Sequence, residues 1–278
     1  MSLFETSQTL GAQERRFAAT ERGAGASPLH DFLRTYRGDE AHPRWHSDWA
    51  WDNYARIIPA LAERFALRRL CEIGGGRDPL FKLEQTRAIG LDYTINDIDP
   101  GELALAPDVF GKACFDIAGD LSGLPALPGP YDLMVSRMVF EHVGDVERAW
   151  SNIHTLLAPG GIALCFFPTL YAWPFTLNHI IPEKLSRALL HAVFPGRADD
   201  GEDPKFPALY NWCFGSERKL RPMLARAGFH DILVQPFWGQ HYLGRFPVLR
   251  ETDAALDRLL AHLDWRFFTS YAYVIVRK

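Results

Sequence analysis

Apolar residues along the chain fall into two alternating patterns from about residue 48 onward. Short apolar runs typical of buried strands, such as "LCEI", "DYTIND", "YDLMVSRM" and "IALCFFP", alternate with stretches in which apolar residues lie three or four positions apart. Strands that alternate with helices favour a parallel sheet covered on both faces. The predicted fold class is therefore α/β.

Capping residues predict where the first helices begin and end. Residues 48–65 have helical spacing, with Pro59 expected to kink this helix or to end it. A second helix is predicted to begin after Asp78 as N-cap, with Pro79 at its first position, and to stop at Gly90.

The remaining segments suggest a domain with additions. Residues 1–65 are predicted to form an N-terminal helical cap, of which the first 27 are polar and loose in part. Residues 66–278 form the main domain. Two stretches, 169–215 and 238–268, interrupt the alternation and are rich in aromatic residues and histidine. Loops this long are usually functional, so we predict that they form a lid over the substrate.

Composition excludes several classes of protein. The formal net charge of −4 gives no basic field for nucleic acid. We identify no secretory signal and no apolar run long enough to span a bilayer, which predicts a cytoplasmic protein. The four cysteines are far apart, and we predict buried free thiols rather than disulfides or a metal cluster.

Three successive glycines, Gly74–Gly76, follow the first apolar run. Glycine lets backbone N–H groups approach a ligand without interference from Cβ, and ligands of α/β sheets lie beyond the carboxyl ends of the strands. A tight strand-to-helix turn without a ligand is the alternative. Three glycines at the first such junction favour a ligand.

The residues around the glycines separate two classes of ligand. A dinucleotide motif would need a glycine at Pro79, and a pyrophosphate would face Glu72 and Asp78, offset only in part by Arg77. S-adenosylmethionine carries a cationic ammonium and sulfonium and only one carboxylate. It can use an adjacent acid as well as bare N–H groups, so the pattern favours this cofactor over NAD.

Asp97 is predicted to end the second strand, 97 − 76 = 21 residues after Gly76. A carboxylate at this position can bind both hydroxyls of a ribose. Dinucleotide-binding folds use the same device, so this spacing alone does not separate the two cofactors. Asp99 lies close enough to be confused with Asp97, but it is equally well explained as a helix N-cap.

Asp120 is predicted to end a third strand over residues 112–120. A carboxylate there can accept a hydrogen bond from the adenine amino group, and the N–H of Leu121 can bind a ring nitrogen. Asp116 is the competing acid, and its simpler interpretation is a solvent-facing strand residue.

The segments "CEIGGG", "INDID", "IAGDLSGLP", "YDLMVSRMVFEHV" and "LLAPGGIALCFFP" together resemble the class I S-adenosylmethionine-dependent methyltransferase family. Their order and spacing match over about residues 66–168, although Asp78 replaces a customary glycine. The resemblance implies a Rossmann-like seven-stranded sheet of order 3-2-1-4-5-7-6 with the last strand antiparallel. The predicted cofactor-binding residues are Glu72, Gly74, Gly75, Gly76, Asp97, Ile98, Asp120, Leu121 and Ser136.

Methyl transfer from a sulfonium depends mainly on positioning and desolvation, and a general base is needed only when the nucleophile arrives protonated. The predicted acceptor is a small molecule of aromatic or apolar character. The candidate catalytic residues, which orient the acceptor or take its proton, are His142, Tyr171, Tyr210 and His241.

The pair Glu141–His142 follows the fourth predicted strand. We favour a hydrogen-bonded pair at a helix entry over a catalytic base. We also predict no metal here, because the positive charge of Arg137 would repel a divalent ion.

Three other functions share parts of these patterns. A protein with the same cofactor site can use the sulfonium in another way. It can catalyse an intramolecular displacement on the aminobutyryl chain of S-adenosylmethionine instead of transferring the methyl group. A NAD-dependent oxidoreductase is disfavoured by Pro79 and the acids. A non-catalytic scaffold is disfavoured because the expected cofactor acids are all present.

Overall fold

The structure, a computed structural model, describes residues 27–124, 128–170, 208–239 and 247–278. The strands are β1 (Arg69–Ile73), β2 (Asp92–Asp97), β3 (Gly111–Cys114), β4 (Tyr131–Arg137), β5 (Leu157–Pro168), β6 (Asp231–Phe237) and β7 (Tyr271–Arg277). The α-helices in the described ranges are α1 (Pro28–Thr35), α2 (Ser47–Phe65), α3 (Leu83–Ile89), α4 (Pro100–Leu105), α5 (Val146–Leu156), α6 (Glu217–Arg226) and α7 (Pro247–His262).

The seven strands form one sheet of order β3-β2-β1-β4-β5-β7-β6. Strand β7 is antiparallel to both of its neighbours, and the pairings among β1 to β5 are parallel. The predicted strand order and the antiparallel last strand are therefore confirmed. Ile73 of β1 pairs with Asn96 on one side and Ser136 on the other. The loops that follow β1, β2 and β4 consequently leave the sheet at the same edge.

Each face of the sheet has its own apolar core. Leu133 and Val135 of β4 belong to the core shared with α1 and α2, whereas Met134 between them belongs to the core shared with α5 and α6. All three side chains are fully buried. This alternation is that of a sheet covered by helices on both faces, as predicted.

Helix α2 is anchored firmly on the first of these faces. It continues through Pro59 to Phe65, so the proline does not end it. Trp49 stacks on Phe237 with ring centroids 6.0 Å apart, and the Tyr54 hydroxyl donates to the backbone oxygen of Ser136 at 2.7 Å. The N-terminal region thus shares a core with the sheet.

Helix α1 was not predicted from the sequence. Ser27 caps its N-terminus, and the N–H of Leu29 donates to Asp231 Oδ2 at 3.2 Å across the fold. This long-range contact has no local sequence signal. The stretch that was predicted to be loose, apart from Ser27, lies outside the described residues.

Helix α3 begins at Leu83, four residues later than the predicted first position at Pro79, and Asp78 is not its N-cap. The carboxylate of Glu72 accepts the N–H of Leu80 at 2.9 Å, which holds the intervening chain out of the helix. The helix starts where the Lys82 N–H bonds to the side chain of Gln85 at 2.8 Å, one half of a capping box. The predicted stop at Gly90 is confirmed, since this residue has a φ of +66° at the C-cap.

Strand β3 ends at Cys114, so the predicted strand over residues 112–120 is too long. The Asp116 side chain accepts the N–H of Ala118 at 2.8 Å and turns the chain out of the sheet. Asp116 is therefore a turn residue rather than a solvent-facing strand residue. Asp120 lies beyond the turn, where it caps a short 3₁₀ turn at Leu121–Gly123.

The two predicted lid insertions are described only in part. Residues 171–207 and 240–246 lie outside the described ranges, and α7 occupies much of the second insertion. Among the described helices, none is long and apolar enough to cross a membrane. The division into an N-terminal cap, a main domain and a lid stays a prediction.

The four cysteines are all free, and three of them are buried as predicted. The prediction is wrong for Cys114, which is exposed. It ends β3, which is an edge strand of the sheet formed by the described residues.

Replacement of Trp49 by alanine should destabilise the protein by about 3–5 kcal/mol, since it removes a fully buried indole from the core beneath α2. Urea unfolding followed by circular dichroism measures the change. The matched control is Trp51→Ala two residues away, where the side chain is 37% exposed and the loss should be less than half as large. Equal losses at the two positions would contradict the packing of α2 described above.

Candidate functional site

The loop after β1 contains the three glycines and lies between the loops that follow β2 and β4. Gly74 and Gly76 have φ values of +71° and +43°, a conformation that favours glycine. The N–H of Gly75 donates to the backbone oxygen of Asn96 at 3.0 Å. The loop is therefore tied to the end of β2.

Neighbouring protein groups occupy the space that side chains at these glycines would need. A Cβ at Gly74 would lie 2.5 Å from Cγ2 of Val139, and one at Gly76 would lie 3.0 Å from Oδ2 of Asp97. The glycines are thus required by close packing of three loops, whether or not a ligand is bound. The turn interpretation and the ligand interpretation are compatible here, because the same packing brings Asp97 next to bare backbone.

Glu72 is 4% exposed and helps to shape the glycine loop. Its Oε2 accepts the N–H of Leu80 at 2.9 Å and the hydroxyl of Tyr93. Burial raises the pKa of Glu72, while these two hydrogen bonds and the charge of Arg137 oppose the rise. At least one oxygen of this carboxylate therefore serves the protein itself rather than the predicted cofactor.

Asp97 ends β2 as predicted. Its Oδ1 accepts the N–H of Asp99 at 2.9 Å, and Asp99 in turn caps α4 as predicted by accepting the N–H of Gly101 at 2.7 Å. None of the ion pairs between described residues involves Asp97. Its carboxylate is available to neutral donors such as hydroxyl groups.

Arg77, at the end of the glycine loop, is paired with Glu102 of α4, with Nε 2.6 Å from Oε2. This guanidinium lowers the pKa of Glu102. The positive charge of Arg77, which could have interacted with a pyrophosphate, is thus neutralised by Glu102.

Asp120 and Leu121, the predicted adenine-binding residues, lie beyond β3, and Ile98, predicted to contact the cofactor, follows β2. The Oδ1 of Asp120 accepts the N–H of Ser122 at 2.9 Å, and hydrogen bonding from Ser122 lowers the pKa of this carboxyl. Leu121 packs in part against the core on the α5 side. Ile98 is 64% exposed, an unusual position for an isoleucine next to a carboxylate.

Ser136 lies near the carboxyl end of β4, where its backbone was predicted to contact the cofactor. Its backbone oxygen accepts the hydroxyl of Tyr54 at 2.7 Å. This oxygen already has a donor within the protein, and the predicted cofactor contact near Ser136 stays a prediction.

A short 3₁₀ turn, Phe140–His142, follows β4 and carries the predicted pair Glu141–His142. Oε1 of Glu141 lies 3.9 Å from Nε2 of His142, a distance for an ion pair rather than for the predicted hydrogen bond. The Glu141 side chain is 5% exposed, and its Oε2 makes no hydrogen bond within the described part of the chain. Burial raises the pKa of Glu141 to about 7.

A buried carboxyl group that titrates near neutral pH is a candidate acid or base. From the sequence this pair was predicted to have a structural role. No local pattern could show that Glu141 is buried, because its burial depends on segments distant in the chain. The charge of Arg137 lowers the pKa of Glu72. The predicted absence of a metal at Glu141 and His142 stays a prediction.

One of those distant segments carries Tyr210. The N–H groups of Leu209 and Tyr210 donate to the backbone oxygen of Glu141 at 2.7 and 3.0 Å. Tyr210 and Trp212 both have left-handed φ values, +54° and +57°, as does Met138 after β4 with +58°. Such values are uncommon for non-glycine residues and concentrate at functional sites.

The structure therefore brings the backbone of Tyr210 beside that of Glu141 and His142. The other two predicted acceptor residues, Tyr171 and His241, lie outside the described residues.

Comparison with known proteins assigns the family. A family described as methyltransferase domain matches residues 46–234, more than half of the chain. The chain belongs to this family, and the resemblance to S-adenosylmethionine-dependent methyltransferases is confirmed, with S-adenosylmethionine as the cofactor of the class.

Individual relatives are more distant. An uncharacterized methyltransferase of Mycolicibacterium gilvum is 28% identical over 57% of this chain and 64% of its own length. A ubiquinone/menaquinone biosynthesis C-methyltransferase of Methylobacterium nodulans is 28% identical over 43% of this chain and 48% of its own length. The chain thus spans less than two thirds of either relative.

Among solved structures, an S-adenosylmethionine-dependent methyltransferase of Mesorhizobium loti is 20% identical, with a TM-score of 0.48. The match covers 84% of this chain and 98% of the other. A TM-score this low carries no conclusion about function.

Replacement of Glu141 by glutamine should change how stability depends on pH. A carboxyl whose pKa is about 7 when folded and 4.5 when unfolded stabilises the fold fully below pH 4.5, and this contribution is lost as the pH rises to about 7. Between these pH values the free energy of unfolding of the wild type should therefore fall by roughly 3 kcal/mol relative to that of Glu141→Gln. Urea unfolding of both proteins at several pH values measures the difference. A difference that stays constant would show that Glu141 is not buried as described.

Proposed function

We propose that the protein is an S-adenosylmethionine-dependent methyltransferase that acts on an oxygen or nitrogen atom of a small molecule by in-line displacement. The proposal depends most on one observation. The glycine loop, the carboxylate of Asp97 and the buried carboxyl of Glu141 all lie at the edge where β1, β2 and β4 end. Cofactor-binding groups and a proton acceptor therefore share one edge of the sheet.

The residues present fit the cofactor. Asp97 offers a carboxylate that can accept from ribose hydroxyl groups, and the exposed Ile98 beside it offers an apolar surface for a ring. Asp120 and Leu121 are the candidates for the adenine edge, and Gly74–Gly76 are those for the methionine portion. The pairing of Arg77 with Glu102 argues against a pyrophosphate, and hence against NAD.

When bound, S-adenosylmethionine supplies a methyl group on a sulfonium, a centre open to attack by a nucleophile. The protein must orient the acceptor and, if the acceptor is protonated, remove its proton. Glu141 suits the second task, because its pKa of about 7 makes both of its forms accessible near neutral pH. His142, which is 34% exposed beside it, is the alternative base. Tyr210, with Tyr171 and His241, is proposed to orient the acceptor.

A carbon acceptor is the second candidate. It is favoured by one observation, the similarity to a relative whose name specifies C-methyltransferase activity. The same carboxyl of Glu141 can remove a proton from an activated carbon. The proposed acceptor remains a small aromatic or apolar molecule, and a cytoplasmic location stays a prediction.

Replacement of Asp97 by alanine should weaken the binding of S-adenosylhomocysteine at least tenfold, because hydrogen bonds to a charged acceptor contribute about 1.5–3 kcal/mol each. Isothermal titration calorimetry measures the dissociation constant. The matched control is Asp116→Asn, in the turn after the neighbouring strand β3. This variant keeps a side-chain oxygen that can accept the N–H of Ala118, and it should bind S-adenosylhomocysteine as the wild type does. Unchanged binding by Asp97→Ala would reject the proposed ribose site.

Incubation with S-adenosylmethionine and a panel of phenols, amines and activated carbon acids should yield S-adenosylhomocysteine and a methylated acceptor. Mass spectrometry of the products identifies the atom that is methylated. If the protein instead cyclises the aminobutyryl chain, methylthioadenosine and a lactone will form without any acceptor. That result would replace methyl transfer by the alternative use of the same cofactor.

A further inference from the structure

A cluster of two histidines and an aspartate lies directly before and at the start of α2, and nothing in the proposed methyl transfer uses it. This His-Asp cluster consists of His42, His46 and Asp48. Oδ2 of Asp48 lies 3.3 Å from Nδ1 of His46 and 3.8 Å from Nδ1 of His42. The three donor atoms all lie within 4.8 Å of one another, the only such group of three found in the described part of the chain.

The backbone of the cluster is held in place by contacts to the sheet. The N–H of Ser47 donates to the backbone oxygen of Trp238 at 2.7 Å, and the N–H of Trp238 donates to that of Trp45 at 2.9 Å. Gly239 has a φ of +97°, and a Cβ at this residue would lie 2.5 Å from Nε2 of His46. The missing side chain of Gly239 therefore leaves room for the imidazole of His46. Because the backbone hydrogen bonds already hold the segment that carries the cluster, binding of a ligand would not have to order this segment.

The donor set is that of a transition-metal site. Two imidazole nitrogens and one carboxylate oxygen, with a further position open to water, are ligands that suit zinc. Bonds of about 2.0–2.1 Å in a tetrahedral site place the donors roughly 3.3–3.5 Å apart. The observed 3.3 and 3.8 Å at Asp48 are close to this range, and the two histidine donors, which lie within 4.8 Å of each other, must approach by up to about 1.5 Å.

Two further contacts involve the histidines of this cluster. Oδ2 of Asp52, one turn along α2, lies 3.8 Å from Nε2 of His42, the ring nitrogen opposite the one that faces Asp48. This distance is that of an ion pair rather than of a hydrogen bond, and a carboxylate at the second nitrogen is common for histidines that bind metals. Nδ1 of His46 accepts the N–H of Asp48 at 3.2 Å and so caps the N-terminus of α2. This nitrogen is therefore unprotonated, and a metal ion bound to it would compete with the amide for its lone pair.

We propose that His42, His46 and Asp48 bind a divalent transition-metal ion, with zinc as the best match to the donor set. The ion would fasten the segment before α2 to the first turn of that helix, next to the end of β6. His42 is 43% exposed, so the proposed site is open to ions from solvent. This inference does not depend on the proposed function, because its test needs neither cofactor nor acceptor.

The test is a zinc titration of the full-length protein, freed of affinity tags and treated with a chelator, in competition with a chromophoric indicator. We expect one ion per chain and a rise in the thermal unfolding midpoint on zinc addition. His42→Ala should weaken binding at least tenfold and abolish the rise in the midpoint. Asp48→Asn should weaken binding too, and cobalt in place of zinc should give the visible absorption of a tetrahedral site that His42→Ala lacks.

The matched control is His230→Ala, an exposed histidine that precedes β6 and so lies at the opposite edge of the sheet. It should bind zinc as the wild type does. Binding that is unchanged in both His42→Ala and Asp48→Asn, or that falls equally in His230→Ala, would overturn the proposal. Zinc uptake without a single saturable site would do the same.

Discussion

The loop after β1 is confined between the ends of two neighbouring strands, and the rest of the candidate site depends on this confinement. The missing side chain of Gly74 lets the loop pass Val139 on one side, and that of Gly76 lets it pass Asp97 on the other. Glu72 holds the far end of the loop through the N–H of Leu80. A bulkier residue at either glycine would push apart the groups that are proposed to hold the cofactor.

The same edge of the sheet also accounts for the buried carboxyl of Glu141. The chain leaves β4 through Met138 in a left-handed conformation, turns at Phe140–His142, and is covered by the segment around Tyr210. This cover removes water from Glu141 and raises its pKa to about 7. Cofactor binding and proton transfer are therefore proposed for two adjacent loops that follow parallel strands, the arrangement typical of α/β folds.

Local patterns in the sequence predicted the strands well, because each buried strand is a short apolar run. The order of the strands was implied by the resemblance to the methyltransferase family. The local patterns failed where a distant group decides the local structure. Asp78 and Pro79 look like a helix start, but Glu72 takes the N–H of Leu80 and delays the helix to Leu83. The burial of Glu141 and the docking of α1 on Asp231 likewise depend on contacts that no local pattern records.

The central claim is that contact between the glycine loop and Asp97 builds the cofactor site. The binding of S-adenosylhomocysteine to Gly76→Ala tests it most directly, with Gly123→Ala as control, since a Cβ at Gly123 meets nothing within 4 Å. A methyl group at Gly76 must press on Oδ2 of Asp97 and strain a backbone with a φ of +43°, so calorimetry should show at least a tenfold loss of affinity for this variant alone. Wild-type affinity in a folded Gly76→Ala protein would contradict the account.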